Sequence, residues 1–395
     1  MRDLVTTAIE CHPKRALAIS IPHNSQISAA TPKTSSLDSQ TSLVTRLHCA
    51  LAATAWTAWK YGDNDDADDY VQTILVAKSL TNCGGFDHND LVSRHRIRSG
   101  HRLGETELYP GGVHPAYRGQ VAKLQRSKDP LYLATDGASD GAAMKVTAIA
   151  GYYVQDFDAL IHNTDRIARI THASVEARLA AVLIALRLRQ VLLNIAPDNM
   201  NQLLEELVAA TKILRFGHHA DFFLARVESA RQIASQDAPA TDLLYQLCRQ
   251  VGMEHLAWST PVTACFWSFH ADTDFSKWFR RRRETKMYLP RKRFPISRVI
   301  HGRTLKRHIH QADVEHLHAI GQYDSYQQAH GYHWRKSIDM DTFLSIAISI
   351  LAARHGLDSV ASEVLIAIEQ FGDDLWSLAE QLAAASWNEQ RGKTA

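Results

Sequence analysis

The stretch Val175-Glu176-Ala177-Arg178-Leu179-Ala180-Ala181-Val182-Leu183-Ile184-Ala185-Leu186-Arg187-Leu188-Arg189-Gln190-Val191-Leu192 decides the fold class. Val175, Leu179, Val182, Leu183, Leu186, Val191 and Leu192 recur at helical spacing, and apolar or small residues occupy most positions between them. A helix that is apolar over much of its circumference offers little face to water. It predicts a central, buried helix wrapped by others.

Working outward, the same period returns on both sides. Leu43, Leu47, Leu51, Ala55 and Ala58 mark one helix, which Gly62 and an acidic stretch end. Val71, Ile74, Leu75 and Leu80 mark a second, closed by Asn82-Cys83-Gly84-Gly85, and Asp87 can cap a third that carries Leu91. Residues 104–141 are dense in Gly, Pro and Asp and predict loop with short helices. Further helices are expected from Leu203 to Leu214, Phe222 to Ile233 and Leu243 to Val251, and the last two from Thr342 to Arg354 and Ser359 to Trp387. No neighbouring segments alternate as strands do, so the expected class is all-α.

Composition sets the outer bounds. The chain has 395 residues, 45% hydrophobic and 22% charged, which excludes wholesale disorder. Residues 22–42 are rich in Ser, Thr, Pro and Asn without apolar periodicity, so residues 1–42 read as a flexible N-terminal arm: either a plain disordered end or a segment that folds onto a partner. The helical domain is expected over residues 43–390. Its rhythm breaks at Arg280-Arg281-Arg282-Arg283, Lys286, Arg291-Lys292-Arg293, Arg298, Arg303 and Lys306-Arg307, followed by His301, His308, His310, His316, His318, His330 and His333. Residues 284–335 accordingly read as a basic, His-rich insertion.

A formal net charge of +2 makes no case for nucleic acid as a partner, although the arginine cluster could supply phosphate electrostatics. The His308-x-His310 and His316-x-His318 pairs would diverge on a helix, which disfavours a shared ion. Five scattered cysteines (Cys11, Cys49, Cys83, Cys248, Cys265) contain no CxxC pair and fit a reducing compartment. No apolar run reaches the roughly 18 residues that span a bilayer, and the segment Ala16–Ile21 is too short for a signal core. A cytoplasmic protein without membrane contact is the expectation.

Chemistry concentrates at two acidic helix starts, Asp68-Asp69 and Asp339-Met340-Asp341-Thr342. Either one alone is an ordinary cap, because Asp and Thr oxygens accept hydrogen bonds from free backbone N–H groups. Together they suggest more. Carboxylates brought together by two helix starts repel one another unless a cation sits between them. Neither motif holds His or Cys, which favours Mg²⁺ or Mn²⁺ over zinc.

An ordered set of motifs then resembles the ADP-ribosylglycohydrolase family, which includes dinitrogenase reductase-activating glycohydrolase. Ala67-Asp68-Asp69-Tyr70 leading into Val71–Leu80 is similar to the family's Ser/Thr-Asp-Asp-Thr motif and its following helix. Phe86-Asp87-x-x-Asp90-Leu91 through Arg98-Ser99-Gly100 resembles the next helix. Ser139-Asp140-Gly141-Ala142-Ala143-Met144-Lys145-Val146 resembles a Ser-Asn-Gly-x-x-Met-Arg segment, and Ile170-Thr171-His172 a Thr-His-Pro. Asp339-Met340-Asp341-Thr342, with Ala347 and Gly356-Leu357, resembles the Gly-Asp-x-Asp-Thr helix. Asp272-Thr273-Asp274 is a decoy, since a basic run and not a small-residue helix follows it. Ala67, Tyr70, Asp140 and Ala173 depart from the family pattern, the first by removing a hydroxyl ligand.

The resemblance implies a compact orthogonal multi-helix bundle with a site for two Mg²⁺ ions, Mn²⁺ being the substitute. It assigns metal-ligand roles to Asp68, Asp69, Asp339, Asp341 and Thr342, catalytic roles to Asp69 and Asp341, and substrate contacts to Ser139, Gly141, Met144 and His172. A buried or capping histidine at a helix entry is the plain reading of His172. The implied activity is hydrolysis of the glycosidic bond that joins ADP-ribose to a protein side chain or small molecule. The alternative is a catalytically weak relative that sequesters a partner, such as an ADP-ribosyltransferase, through the arm and the basic insertion.

Overall fold

The computed structural model describes residues 36–61, 68–100, 122–127, 129, 131–271, 311–330, 339–357, 364–365, 367–368 and 373–394. Among the described residues the regular elements are helices, with no strand, as the sequence predicts. The predicted central helix is α6 (Val175–Leu193), and it starts and stops for local reasons. Ser174 Oγ accepts a hydrogen bond from the Ala177 N–H at 3.1 Å, and Asn194 ends the helix in the left-handed region at φ 54°.

Leu179, Val182, Leu183 and Leu186 of α6 are fully buried. Each removes enough apolar surface from water to contribute about 1.5–3 kcal/mol. Glu176 and Arg187 on the same helix are buried too. Arg187 keeps its charge there: its guanidinium lies 3.6 Å from the Phe269 ring centroid and donates to Ser268 Oγ and the Pro197 carbonyl. Burial lowers its pKa only to about 10.

Around α6 pack α4 (Thr147–Tyr152), α5 (Phe157–Thr171), α7 (Met200–Ile213), α10 (Thr260–Trp267) and α13 (Met340–His355). Helix α1 (Ser36–Tyr61) packs along α13, meets α14 (Leu375–Thr394), and reaches α6 itself, where Arg46 donates to the Val191 carbonyl at 3.0 Å. Helices α2 (Asp68–Cys83) and α3 (His88–Gly100) pack against each other, and Asp87 caps α3 as expected, accepting from the Asp90 N–H at 2.8 Å. Helices α8 (Asp221–Ala234) and α9 (Ala240–Gln250) complete the middle of the chain.

The helix predicted over residues 359–387 is interrupted. Residues 364–365 and 367–368 are helical, Asp373 and Asp374 are not, and α14 starts at Leu375. Both aspartates have tertiary or capping work that competes with helix continuation. Asp374 Oδ1 accepts from the Ser377 N–H at 3.0 Å, and the Asp373 carboxylate accepts from the Tyr70 hydroxyl at 2.8 Å and Lys78 Nζ at 2.6 Å.

Residues 1–35, with most of the expected arm, and the basic tract at 280–307 lie outside the described residues. Of the expected insertion, residues 311–330 are described. They form α11 (Gln311–Ala319) and α12 (Tyr323–His330). Asp313 of α11 is buried and accepts from Arg226 and from Trp258 Nε1, the latter at 3.0 Å. His316 stacks on Phe222 at 3.5 Å and bonds Glu176 Oε1 at 2.6 Å, whereas His318 stacks on Tyr323. These two histidines thus face different partners, and His308 and His310 lie outside the described residues. No helix among the described residues is long and apolar enough to cross a membrane.

Candidate metal centre and its binding loop

Helix α2 begins at Asp68, and Asp339 is the N-cap of α13, its Oδ1 accepting from the Thr342 N–H at 3.3 Å. Capping is therefore real at the second motif. It uses one carboxylate oxygen and leaves the other. The two helix starts, far apart in sequence, meet where Thr342 Oγ1 donates to Asp69 Oδ1 at 3.5 Å. Asp68, Asp69, Asp339 and Thr342 are all buried, while Asp341 is half-buried and hydrogen-bonded to Asp339.

Two further side chains join this group from loops. Asp140, in a single 3-10 turn (Asp140–Ala142), is buried and hydrogen-bonded to Asp339, and its Oδ2 has no hydrogen-bond partner. His255 Nδ1 lies 2.5 Å from Asp339 Oδ2. One ligand atom each from Asp140, His255 and Asp339 falls within 4.8 Å of the others. The Asp339 N–H donates to the Met253 carbonyl at 2.7 Å, which holds the His255 loop against the start of α13.

The electrostatics follow from burial and like charge. Burial, then the neighbouring charges of Asp339 and Asp69, push the Asp140 carboxyl well above its ordinary range. Burial pushes Asp339 in the same direction, but the charge and hydrogen bond of His255, together with hydrogen bonds from Asp341 and Asp140, outweigh it and hold Asp339 well below. Of the two carboxyls, burial and like charge disfavour the ionised form of Asp140, whereas the neighbours of Asp339 favour its ionised form.

Beside the carboxylates runs a chain of hydrogen bonds. Gln72 Nε2 donates to Asp68 Oδ2 at 3.4 Å, and Gln72 Oε1 accepts from Lys145 Nζ at 3.1 Å. Lys145 also donates to Thr171 Oγ1 at 2.5 Å; Thr171 Oγ1 lies 2.8 Å from His172 Nδ1, and His172 Nε2 lies 2.9 Å from Ser139 Oγ. In the tautomer with the His172 proton on Nε2, Thr171 accepts from Lys145 and donates to Nδ1, His172 donates to Ser139, and Ser139 keeps a hydroxyl proton for a ligand. Burial, with Lys145 adding to it, lowers His172 to about 3, so the ring is neutral; burial brings Lys145 itself down to about 7.

Glycines make room for this arrangement. A Cβ on Gly141 would sit 3.1 Å from His172 Nε2, and one on Gly137, at φ +111°, would sit 3.1 Å from both His172 Cα and the Thr171 carbonyl. The loop is pinned on two further sides, by Ala257 N–H to the Ala138 carbonyl at 3.1 Å and Gly137 N–H to Gln322 Oε1 at 2.8 Å. Met144 is buried, with its carbonyl accepting from Thr73 Oγ1 at 3.3 Å.

Of the residues singled out from sequence, Asp69, Asp339, Asp341 and Thr342 are linked by direct hydrogen bonds, and Asp68 joins through Gln72, Lys145 and Thr171 to His172 at the end of α5, which bonds Ser139 in the loop with Gly141. In the sequence Asp140 stands out only as a departure from the family pattern, and no motif marks Lys145, Gln72 or His255 as functional. Asp140 and Lys145 lie inside the motif Ser139–Val146, where their charge is a usable signal. His255 has none beyond being a histidine in the short loop Gly252–Ser259. Ala67 and Asp272–Asp274 lie outside the described residues.

Fold and site together define an all-α bundle with a buried carboxylate centre at two converging helix starts and a Ser–His loop beside it. The model of the ADP-ribosylglycohydrolase family matches residues 25–282, and the chain belongs to that family. It is thereby of the glycohydrolase kind. A solved structure described as an ADP-ribosylglycohydrolase-related protein complex is 18% identical, the match covering 89% of this chain and 99% of that chain with a TM-score of 0.50, and shares the fold. No curated protein matches the sequence. The family match stops at residue 282; it is the contact of Thr342 with Asp69 that joins the second motif to the first.

Proposed function

We propose that the chain is a divalent-metal-dependent hydrolase that cleaves the glycosidic bond between ADP-ribose and a protein side chain. The observation that carries this reading is the meeting of Asp69 and Thr342 beside the buried carboxylates of Asp140 and Asp339. A cluster of buried like charges with an unpartnered Asp140 oxygen fits a cation. Asp68, Asp69, Asp339, Asp341 and Thr342 would hold Mg²⁺, with two ions as the expected number and Mn²⁺ as a substitute. Such ions, when bound, would orient the ribose hydroxyls and acidify a water.

The chain's own residues do the rest. Asp341, the half-buried carboxylate, accepts the proton of the water that attacks the anomeric carbon. That proton returns to the departing side-chain nitrogen or oxygen as its bond to the ribose breaks. Asp69 supplies negative charge to the oxocarbenium-like transition state. Ser139 donates its free hydroxyl proton to a ribose or phosphate oxygen, with His172 fixing its direction and Gly141 giving the ligand close access to backbone. Met144 lines the floor of this loop.

Release of ADP-ribose from arginine- and serine-linked peptides in Mg²⁺ tests the reading. The wild-type chain should release it, and Asp69→Ala and Asp341→Ala should each lower kcat/KM by about 10³-fold or more. No release from either linkage in Mg²⁺ or Mn²⁺, with folded protein, contradicts the proposal.

A further inference from the structure

Asp140 and His255 belong to neither acidic motif, yet they touch Asp339 from two other segments of the chain. Asp140 stands where the family pattern has an amide, so this chain has an added carboxylate in a place that already held others. The addition is costly unless something positive compensates it. The imidazole of His255 compensates Asp339, at 2.5 Å. The buried Oδ2 of Asp140 has no hydrogen-bond partner.

Resting on the metal-dependent reading above, we infer that Asp140, His255 and Asp339 form a mixed nitrogen–oxygen site for a borderline transition-metal dication such as Mn²⁺ or Zn²⁺. The three donors come from the turn at Asp140, the loop at Gly252–Ser259 and the cap of α13, and their ligand atoms lie within 4.8 Å of one another. One imidazole with two carboxylates suits Zn²⁺, Mn²⁺ or Fe²⁺ better than Mg²⁺, which takes oxygen ligands and keeps its waters. Binding there satisfies the buried Asp140 oxygen. The oxygen donors of Asp68, Asp69, Asp341 and Thr342 stay available for a harder ion. The centre is then asymmetric, with one ion bound partly through nitrogen.

Pulsed EPR of the chelator-stripped full chain reloaded with Mn²⁺ tests this directly, alongside Zn²⁺ and Mg²⁺ titrations by calorimetry. Wild type should show ¹⁴N coupling from an imidazole and bind Zn²⁺ at least about 100-fold more tightly than Mg²⁺. His255→Gln should lose the nitrogen signal and most of that preference, and Asp140→Asn should weaken Zn²⁺ about tenfold or more while leaving the signal detectable. Equal circular dichroism and Tm of the metal-free variants separate loss of a ligand from loss of fold. Mn²⁺ binding without nitrogen coupling, or Zn²⁺ affinity unchanged in His255→Gln, overturns this inference and leaves the oxygen-liganded centre standing. Absence of binding by any of the three ions overturns both.

Discussion

At the scale of single residues, burial sets the ionisation of several groups. His95 and His172 are the clearest case, because burial lowers both to about 3. An unfolded histidine titrates near 6.5, so between about pH 6.5 and 3 the unfolded chain binds protons that the folded chain refuses. Stability from these two residues is therefore fully present above about pH 6.5 and is lost as pH falls toward 3. Each should add up to about 1.4 kcal/mol per pH unit to the slope of unfolding free energy in that window. Urea denaturation at several pH values checks this: His95→Gln should flatten the slope, and an unchanged slope would contradict neutral burial. Gly141 makes a different residue-scale test. Its Cβ would press on the His172 ring at 3.1 Å, so Gly141→Ala should lower kcat/KM for ADP-ribose release about 10–100-fold with little change in Tm. Residue-scale chemistry was only partly legible in the sequence. Asp69 and Thr342 stood out because ordered motifs framed them. His255 could not, since only the pairing of Asp339 with the Met253 loop gives that histidine its place.

At the scale of elements, helix starts are the devices that matter. α2 opens on Asp68-Asp69 and α13 is capped by Asp339, so each helix aims its N-terminal dipole at the same cluster of carboxylates. The position of α2 is further fixed at Asp373, the residue at which the predicted terminal helix breaks. Tyr70, which stands where the family pattern has Thr, donates its hydroxyl proton to Asp373. Tyr70→Phe should therefore cost about 1.5–3 kcal/mol in urea denaturation, the range for a hydrogen bond to a charged acceptor. A loss below about 0.5 kcal/mol would show that this anchor is dispensable. Helix periodicity predicted α1, α2, α6 and α13 because their apolar faces are local patterns. It ran through Asp373-Asp374 because the partners that stop the helix, Tyr70 and Lys78, lie far away in the chain.

At the scale of the whole molecule, a buried helix with an apolar circumference organises the bundle, and the polar centre lies between helix starts at its edge. α6 carries no metal-ligand candidate, yet it fixes the Thr171–His172 entry on one side and takes Glu176 to the His316 imidazole of α11 on the other. The fold class was legible from that one helix because burial of so apolar a cylinder leaves few architectures open. The docking of α11 and α12 was not, since it depends on buried pairs such as Asp313 with Arg226 and Trp258 that no periodicity encodes. The central claim is that two distant acidic helix starts hold one metal centre. Anomalous diffraction from crystals grown with Mn²⁺ tests it most directly. The expected result is a peak at about 2.2 Å from oxygens of both starts, Asp69 on α2 and Asp341 or Thr342 on α13. A well-ordered map of the Mn²⁺-soaked protein with no peak between those helix starts would contradict the account.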